Sequence, residues 1–166
     1  MATYRPLVVD AGKIKRMATT DKIDSALIDI TTLEVDMVSQ ENSSVTDPLV
    51  IGTPVYNDAA GTVAPALADA IGTVEVLGLV KDVSIAAEAS GYIQTDGILT
   101  ATTGQWDTVT GETGGLVAGT IYYLDPDTAG MLTLTAPTDD GDFVVRIGKA
   151  VSTVGLEISI TQPIEL

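Results

Sequence analysis

The stretch that decides the fold class is Thr120–Thr135, which reads TIYYL, DPDTAG and MLTLT. Its first and last pieces, Thr120–Leu124 and Met131–Thr135, are rich in the β-branched and aromatic residues that suit a pleated, half-buried surface. The middle piece combines Asp, Pro and Gly, which make turns. The stretch therefore predicts a strand, a turn and a second strand that pairs back on the first.

The same rhythm of short strands and turns extends over the rest of the chain from Leu49 onward. About ten strand candidates follow one another at roughly 8–12 residues, the spacing of all-β folds. Asp96-Gly97, between the apolar runs 91–94 and 98–100, predicts a hairpin, and 143–151 and 156–160 are the last predicted strands. Residues 64–70 predict one short helical turn, and residues 101–115 a loop. The fold class expected is all-β: a compact β-sandwich or small β-barrel with an extended N-terminal arm.

Charge divides the chain unevenly. Five of the eight basic residues fall among the first 22 residues, where only Asp10 and Asp21 oppose them, whereas the chain as a whole has a net charge of −15. This division predicts a basic arm over residues 1–24 and an acidic, β-rich body over residues 25–166. Such an arm either docks on an acidic partner surface or is a solvated strand. The acidic body is a poor partner for nucleic acid, because it repels phosphate.

Several kinds of chemistry are excluded or weakly supported. The chain has no Cys and no His, so it cannot build Ser–His–Asp or Cys–His catalysis, and it lacks the two commonest zinc ligands. Its carboxylates show no singled-out pair for glycoside hydrolysis. Asp125-x-Asp127 with Gly130 resembles the start of a calcium loop, but Ala136 stands where the bidentate acid belongs. We expect no enzyme, no metal and no cofactor.

The sequence shows neither the pattern of a secretory signal peptide nor that of a membrane-spanning segment. No cationic segment followed by an apolar one opens the chain, and no apolar run approaches the roughly 20 residues that span a bilayer. We therefore expect a protein that is made in a cytoplasm and does not act at a membrane.

Three aromatic residues are candidates for surface contacts. Trp106 lies in the predicted loop, where filling the core and contacting another subunit are equally compatible with its position. Tyr122 and Tyr123 are adjacent in a predicted strand, so their side chains should point to opposite faces, one into the core and one to a surface or an interface.

The C-terminal half resembles a module of tailed-phage virion proteins, among them head decoration proteins, head fibres and tail-fibre segments. The pattern covers about residues 70–166, and Tyr4–Val8 and Gly52–Tyr56 match more weakly. The segments that carry the resemblance are Gln105–Gly111, Gly114–Asp125, Gly130–Thr133, Phe143–Ala150, Leu156–Ile160 and Pro163–Ile164.

The resemblance implies a non-enzymatic structural protein of the particle. The favoured expectation is a capsid decoration (cement) protein on the outer surface of the head shell, a homotrimer that binds the major capsid protein and stabilises the shell. The expected docking residues are those of the arm: Tyr4, Arg5, Pro6, Lys13, Lys15 and Arg16. The alternative is a head-fibre or tail-fibre module that binds the host cell surface through Trp106, Tyr122 or Tyr123.

Overall fold

The computed structural model describes residues 7–10, 13–16 and 37–166. Their elements are sixteen strands and one helix, in the following order. The strands before the helix are β1 (Leu7–Asp10), β2 (Lys13–Arg16), β3 (Met37–Asn42), β4 (Leu49–Val50), β5 (Pro54–Ala59), β6 (Thr62–Pro65), β7 (Val76–Val80), β8 (Ser84–Ile85), β9 (Ser90–Gln94) and β10 (Gly97–Thr100). Then come α1 (Thr103–Thr110), β11 (Ile121–Leu124), β12 (Leu132–Thr133), β13 (Phe143–Val144), β14 (Arg146–Ala150), β15 (Gly155–Ile158) and β16 (Ile164–Glu165).

The chain divides into two compact units, Met1–Glu34 and Val35–Leu166. In the first unit β1 and β2 pair as antiparallel strands, with Leu7 opposite Arg16 and Asp10 opposite Lys13. The boundary predicted from the sequence, between residues 24 and 25, lies outside the described residues. We call residues 37–166 the body.

A closed five-stranded barrel forms the first part of the body, in the order β3-β6-β5-β7-β9. Neighbouring strands are antiparallel except β3 and β6, which are parallel. Val55, Val63, Val80 and Ile93 are fully buried and form a small apolar cluster in this part of the body. The barrel closes on itself, although β3 pairs with β6 only at Glu41 and Asn42, and β7 pairs with β9 only at Leu79 and Val80.

An antiparallel sheet of five strands forms the second part, in the order β10-β15-β14-β11-β12. One face of this sheet supplies fully buried side chains to the larger apolar cluster, namely Leu99, Tyr122, Leu124, Leu132 and Leu156. Two short pairs, β4 with β8 and β13 with β16, complete the body. The all-β fold with a small barrel is confirmed, and so is the pairing of β12 back on β11.

The hairpin predicted at Asp96-Gly97 is wrong. β9 pairs in the barrel and β10 pairs with β15, so the two strands belong to different sheets. The physical reason is that their apolar residues serve different cores: Ile93 packs in the barrel cluster and Leu99 in the larger one. The turn still forms at this point, since the Gln94 side-chain amide donates to the Asp96 carbonyl (2.8 Å).

The loop predicted for residues 101–115 is also wrong over Thr103–Thr110, which is helix α1. A capping box starts the helix: the Thr102 hydroxyl accepts from the Gln105 N–H (3.3 Å), and the Gln105 side chain accepts from the Thr102 N–H (2.8 Å). Gly111 ends the helix in the left-handed conformation at φ 69°. Trp106 and Val109, three residues apart, bury one face.

Two smaller predictions also need correction. Residues 64–70 contain no helical turn, since β6 reaches Pro65 and a non-helical connection follows. The predicted strand 143–151 is split into β13, which pairs with β16, and β14, which lies in the five-stranded sheet.

Candidate interaction surface

The arm residues expected from the sequence fall partly outside the described residues. Tyr4, Arg5 and Pro6 lie there, so their prediction has no structural counterpart. Lys13, Lys15 and Arg16 all belong to β2, which contributes three of the eight basic residues of the chain. In the register of the hairpin, Lys15 stands opposite Val8.

Trp106 lies in the core rather than at the surface. Its side chain is 0 % exposed, and its indole N–H donates to the carbonyl of Val154 (3.0 Å). A Cβ placed on Gly52 would lie 2.9 Å from the Trp106 ring, which shows how closely the backbone approaches it. Of its two sequence-based roles, the described body supports that of a core residue.

Tyr122 and Tyr123 point to opposite faces, as their adjacency in a strand predicts. Tyr122 is fully buried, and its hydroxyl accepts a hydrogen bond from the N–H of Val117 (2.9 Å). Tyr123 is half-buried on the other face of β11, where it stands opposite Arg146 of β14 and Thr133 of β12. Tyr123 is thus the only one of the three aromatic candidates on the side of the sheet away from the core.

We call that side the outer face of the five-stranded sheet. Its central row follows from the strand registers: Ile98 of β10 pairs with Glu157 of β15, which pairs with Lys149 of β14, which pairs with Ile121 of β11. Lys149 and Arg146 are two of the three basic residues in the body, against 17 acidic ones. The outer face therefore concentrates positive charge on an otherwise acidic body.

Exposed apolar side chains lie beside this row at the β10 end of the sheet. Ile98 is 54 % exposed and Val151 is 49 % exposed. They flank Gly155: a Cβ placed there would lie 3.1 Å from Cγ2 of Val151 and 3.4 Å from Cγ2 of Ile98. Neither residue was among the predicted contact residues, although the uncharged run Gly97–Thr100 after Asp96 is compatible with a strand whose edge is apolar.

β10 is an edge strand of the five-stranded sheet, so half of its backbone N–H and C=O groups face away from the sheet. The Ala101 N–H donates to the Val154 carbonyl (3.0 Å). This bond extends the ladder between β10 and β15, in which Leu99 stands opposite Leu156. Hydrogen-bonded and non-hydrogen-bonded pairs alternate along antiparallel strands. Leu99 and Ala101 therefore direct their backbone groups to β15, whereas the N–H and C=O groups of Ile98 and Thr100 point away from it.

An acidic groove of about 220 Å³ lies elsewhere in the body, lined by Asp125, Asp127, Asp139 and Asp142 among others. The Asp125 carboxylate accepts from the N–H groups of Asp127 (2.9 Å) and Thr128 (2.8 Å) and so stabilises its own turn. In the part of the chain that the structure describes, no group of three or more acidic side chains is arranged to hold a metal ion.

The closeness of several carboxylates in this groove predicts how the stability of the body depends on pH. Partial burial, together with the carboxylates of Asp139, Asp127 and Asp69, raises the pKa of Asp142. A raised folded-state pKa means that the free energy of unfolding falls as the pH rises from the unfolded-state pKa of 3.8 through the folded-state value. We expect Asp142→Asn to raise the melting temperature at neutral pH. At about pH 2.5 it should leave the melting temperature unchanged, because Asp142 is then protonated in both the folded and the unfolded state.

The control for that experiment is Asp140→Asn, which removes a charge from the same turn outside the lining of the groove. Thermal melts of both variants and the parent at each pH separate the local effect from the change in net charge. An equal gain for the two variants, or a gain for Asp142→Asn that persists in acid, would contradict the assignment to Asp142.

A second groove, of about 420 Å³, is lined by residues of β7, the turn at Asp96 and the segment after β15. Its ionisable side chains are Glu75 and Asp96, and its other polar residues are Ser, Thr and Gln. No reaction is assigned to this groove.

The comparisons with known proteins add no identification. No protein-family model matches the chain, and no curated protein matches it. Among the described residues, no helix has the length and apolar character needed to cross a membrane.

Proposed function

We propose that this chain is a non-enzymatic decoration (cement) protein that binds the outer surface of a tailed-phage head shell and stabilises it. The resemblance of residues 70–166 to virion modules supports this proposal. So does the body, which is built from a closed barrel and a sheet and buries Trp106 and Tyr122 fully in its core.

The observation that carries the proposal is the contrast in charge between strand β2 and the body. Three of the four residues of β2 are basic, whereas the body, residues 37–166, contains 17 acidic residues and three basic ones. A basic strand outside the acidic body suits docking on an acidic protein surface. Binding to the assembled shell, and not to free capsid subunits, would stabilise the shell by mass action.

The experiment compares full-length variants for binding to shells assembled without this chain, by co-sedimentation. We expect replacement of Lys13, Lys15 and Arg16 by Gln to weaken binding at least about tenfold at low salt, because close charge pairs between proteins each contribute on the order of 1 kcal/mol or more. The difference should shrink toward 1 M salt, where charges are screened. Deleting residues 2–16 should abolish binding while the circular dichroism of the body persists.

The matched control has the same net charge but an intact arm. Ser84→Glu, Thr108→Glu and Thr113→Glu together lower the charge by three at exposed positions of the body. We expect this variant to bind shells nearly as well as the parent. Equal binding by the Gln variant and the parent, or equal losses in the Gln variant and the control, would refute docking through the arm.

Host recognition is the competing function, and the body has few exposed aromatic side chains that could serve it. Binding of a glycan by stacking requires exposed aromatic faces, whereas Trp106 and Tyr122 are fully buried. Tyr123 is half-buried, and Tyr92 is 53 % exposed on β9. A glycan array with a specific hit that Tyr123→Ala or Tyr92→Ala removes would favour this function over decoration.

A further inference from the structure

We propose that β10 pairs with β10 of a second copy of this chain, so that the two five-stranded sheets join across a two-fold axis. The proposal rests on the edge described above and does not depend on binding to a shell. A free edge strand presents unpaired N–H and C=O groups, which are a template for pairing with another chain.

The other open sheets of the body end in strands that are shorter than β10. The barrel is closed, and the opposite edge of the sheet is β12, which has only two residues. The strands of the two short pairs in the body also have two residues each. β10 has four residues, GILT, with no charge and no Pro. It is therefore the longest edge strand of an open sheet in residues 37–166.

The backbone geometry of β10 is self-complementary. Its outward-pointing groups belong to Ile98 and Thr100, two residues apart. An antiparallel copy can therefore place its Thr100 opposite Ile98, and its Ile98 opposite Thr100, as two hydrogen-bonded pairs. Leu99 then stands opposite Leu99 of the second copy in the non-hydrogen-bonded position between them. This register forms four backbone hydrogen bonds and keeps Ile98 and Thr100 of both copies on the outer face.

The local arrangement of charge permits a second copy at this edge, although copies of so acidic a protein should repel one another elsewhere. The charged row of one copy contains Glu157 and Lys149, in line with Ile98. The row that meets it in the second copy is uncharged. There Thr100 pairs with Gly155, and Val151 lies on the far side of Gly155. Like charges are therefore staggered rather than opposed, and the half-exposed Ile98 of each copy meets an uncharged row.

The first test measures the mass of the full chain in solution by sedimentation velocity over a range of concentrations. We expect the parent to reach twice the chain mass of 17.1 kDa. Ile98→Lys, which places a charge on the edge, should raise the dimer dissociation constant at least about tenfold. The matched control Ile71→Lys changes a residue that is 76 % exposed outside the strands, and it should stay dimeric.

The second test fixes the register and uses the absence of Cys from the chain. In the proposed pairing, Cα atoms of residue 98 and residue 100 of the second copy lie about 5.5 Å apart, within disulfide range. Mixing Ile98→Cys with Thr100→Cys should give the mixed disulfide in preference to either symmetric one.

Several outcomes would overturn the proposal. A monomeric parent means that the edge is capped by something other than a second copy. A trimer, which the sequence resemblance implies, would contradict an isologous two-fold contact. A dimer that Ile98→Lys leaves intact, or symmetric disulfides as abundant as the mixed one, would place the contact elsewhere.

Discussion

Trp106→Ala is expected to lower the free energy of unfolding of the body by about 3–5 kcal/mol, the range for removing a fully buried Trp. The side chain has no exposed surface, and its loss opens a cavity in the larger apolar cluster between α1 and the residues around Gly52. It also leaves the carbonyl of Val154 without its indole donor. Urea unfolding, followed by far-ultraviolet circular dichroism, measures the change.

Two further variants separate packing from the hydrogen bond. Trp106→Phe keeps much of the apolar volume but removes the donor to Val154, so we expect a smaller loss than for Ala. Tyr92→Ala removes a half-exposed aromatic residue and should change stability by about 0.5 kcal/mol or less if that residue makes only surface contacts. A loss for Trp106→Ala no greater than that for Tyr92→Ala would show that Trp106 is not a core residue.

Gly115→Ala is expected to lower the free energy of unfolding by roughly 2–5 kcal/mol. Gly115 has φ +81°, and a Cβ there would collide with the backbone carbonyl of Thr153. That carbonyl accepts the N–H of Leu116 (3.0 Å), and the Gly115 N–H donates to the Asp107 carboxylate (2.6 Å). Neither backbone can therefore move aside without losing a hydrogen bond.

Gly119→Ala is the matched control. Gly119 has φ +84°, but apart from its chain neighbours no atom lies within 4 Å of the position that a Cβ would take there. The substitution therefore carries the cost of the left-handed conformation alone, about 1–2 kcal/mol. Denaturant unfolding of the two variants should show the larger loss at Gly115. Equal losses would mean that the approach of Thr153 to Gly115 has no energetic consequence.

The sequence predicted those parts of the fold that depend on local pattern. The alternation in Thr120–Leu124 correctly separates Tyr122 from Tyr123, because side chains alternate strictly along a strand. The pairing of β11 with β12 followed from the turn between them. The T-x-x-Q capping box at Thr102 was equally local and predicts the start of α1, but the Gly and Thr content of the segment favoured a loop.

The assignment of strands to sheets could not be predicted from the sequence. Asp96-Gly97 makes a turn whether the chain reverses within one sheet or passes from the barrel to the next sheet. The choice depends on which apolar cluster receives Ile93 and which receives Leu99. The β10 edge was hidden for the same reason, since an edge is defined by strand order. The burial of Trp106 required α1 to pack on the core, which no local signal reports.

The most direct test of the proposed function is a cryo-EM reconstruction of the virus particle that carries this chain. We expect density on the outside of the head shell that fits the barrel and the five-stranded sheet of the body, with the N-terminal segment in contact with capsid subunits. Density for the body only at the tail or at a fibre, with a bare shell lattice, would contradict it.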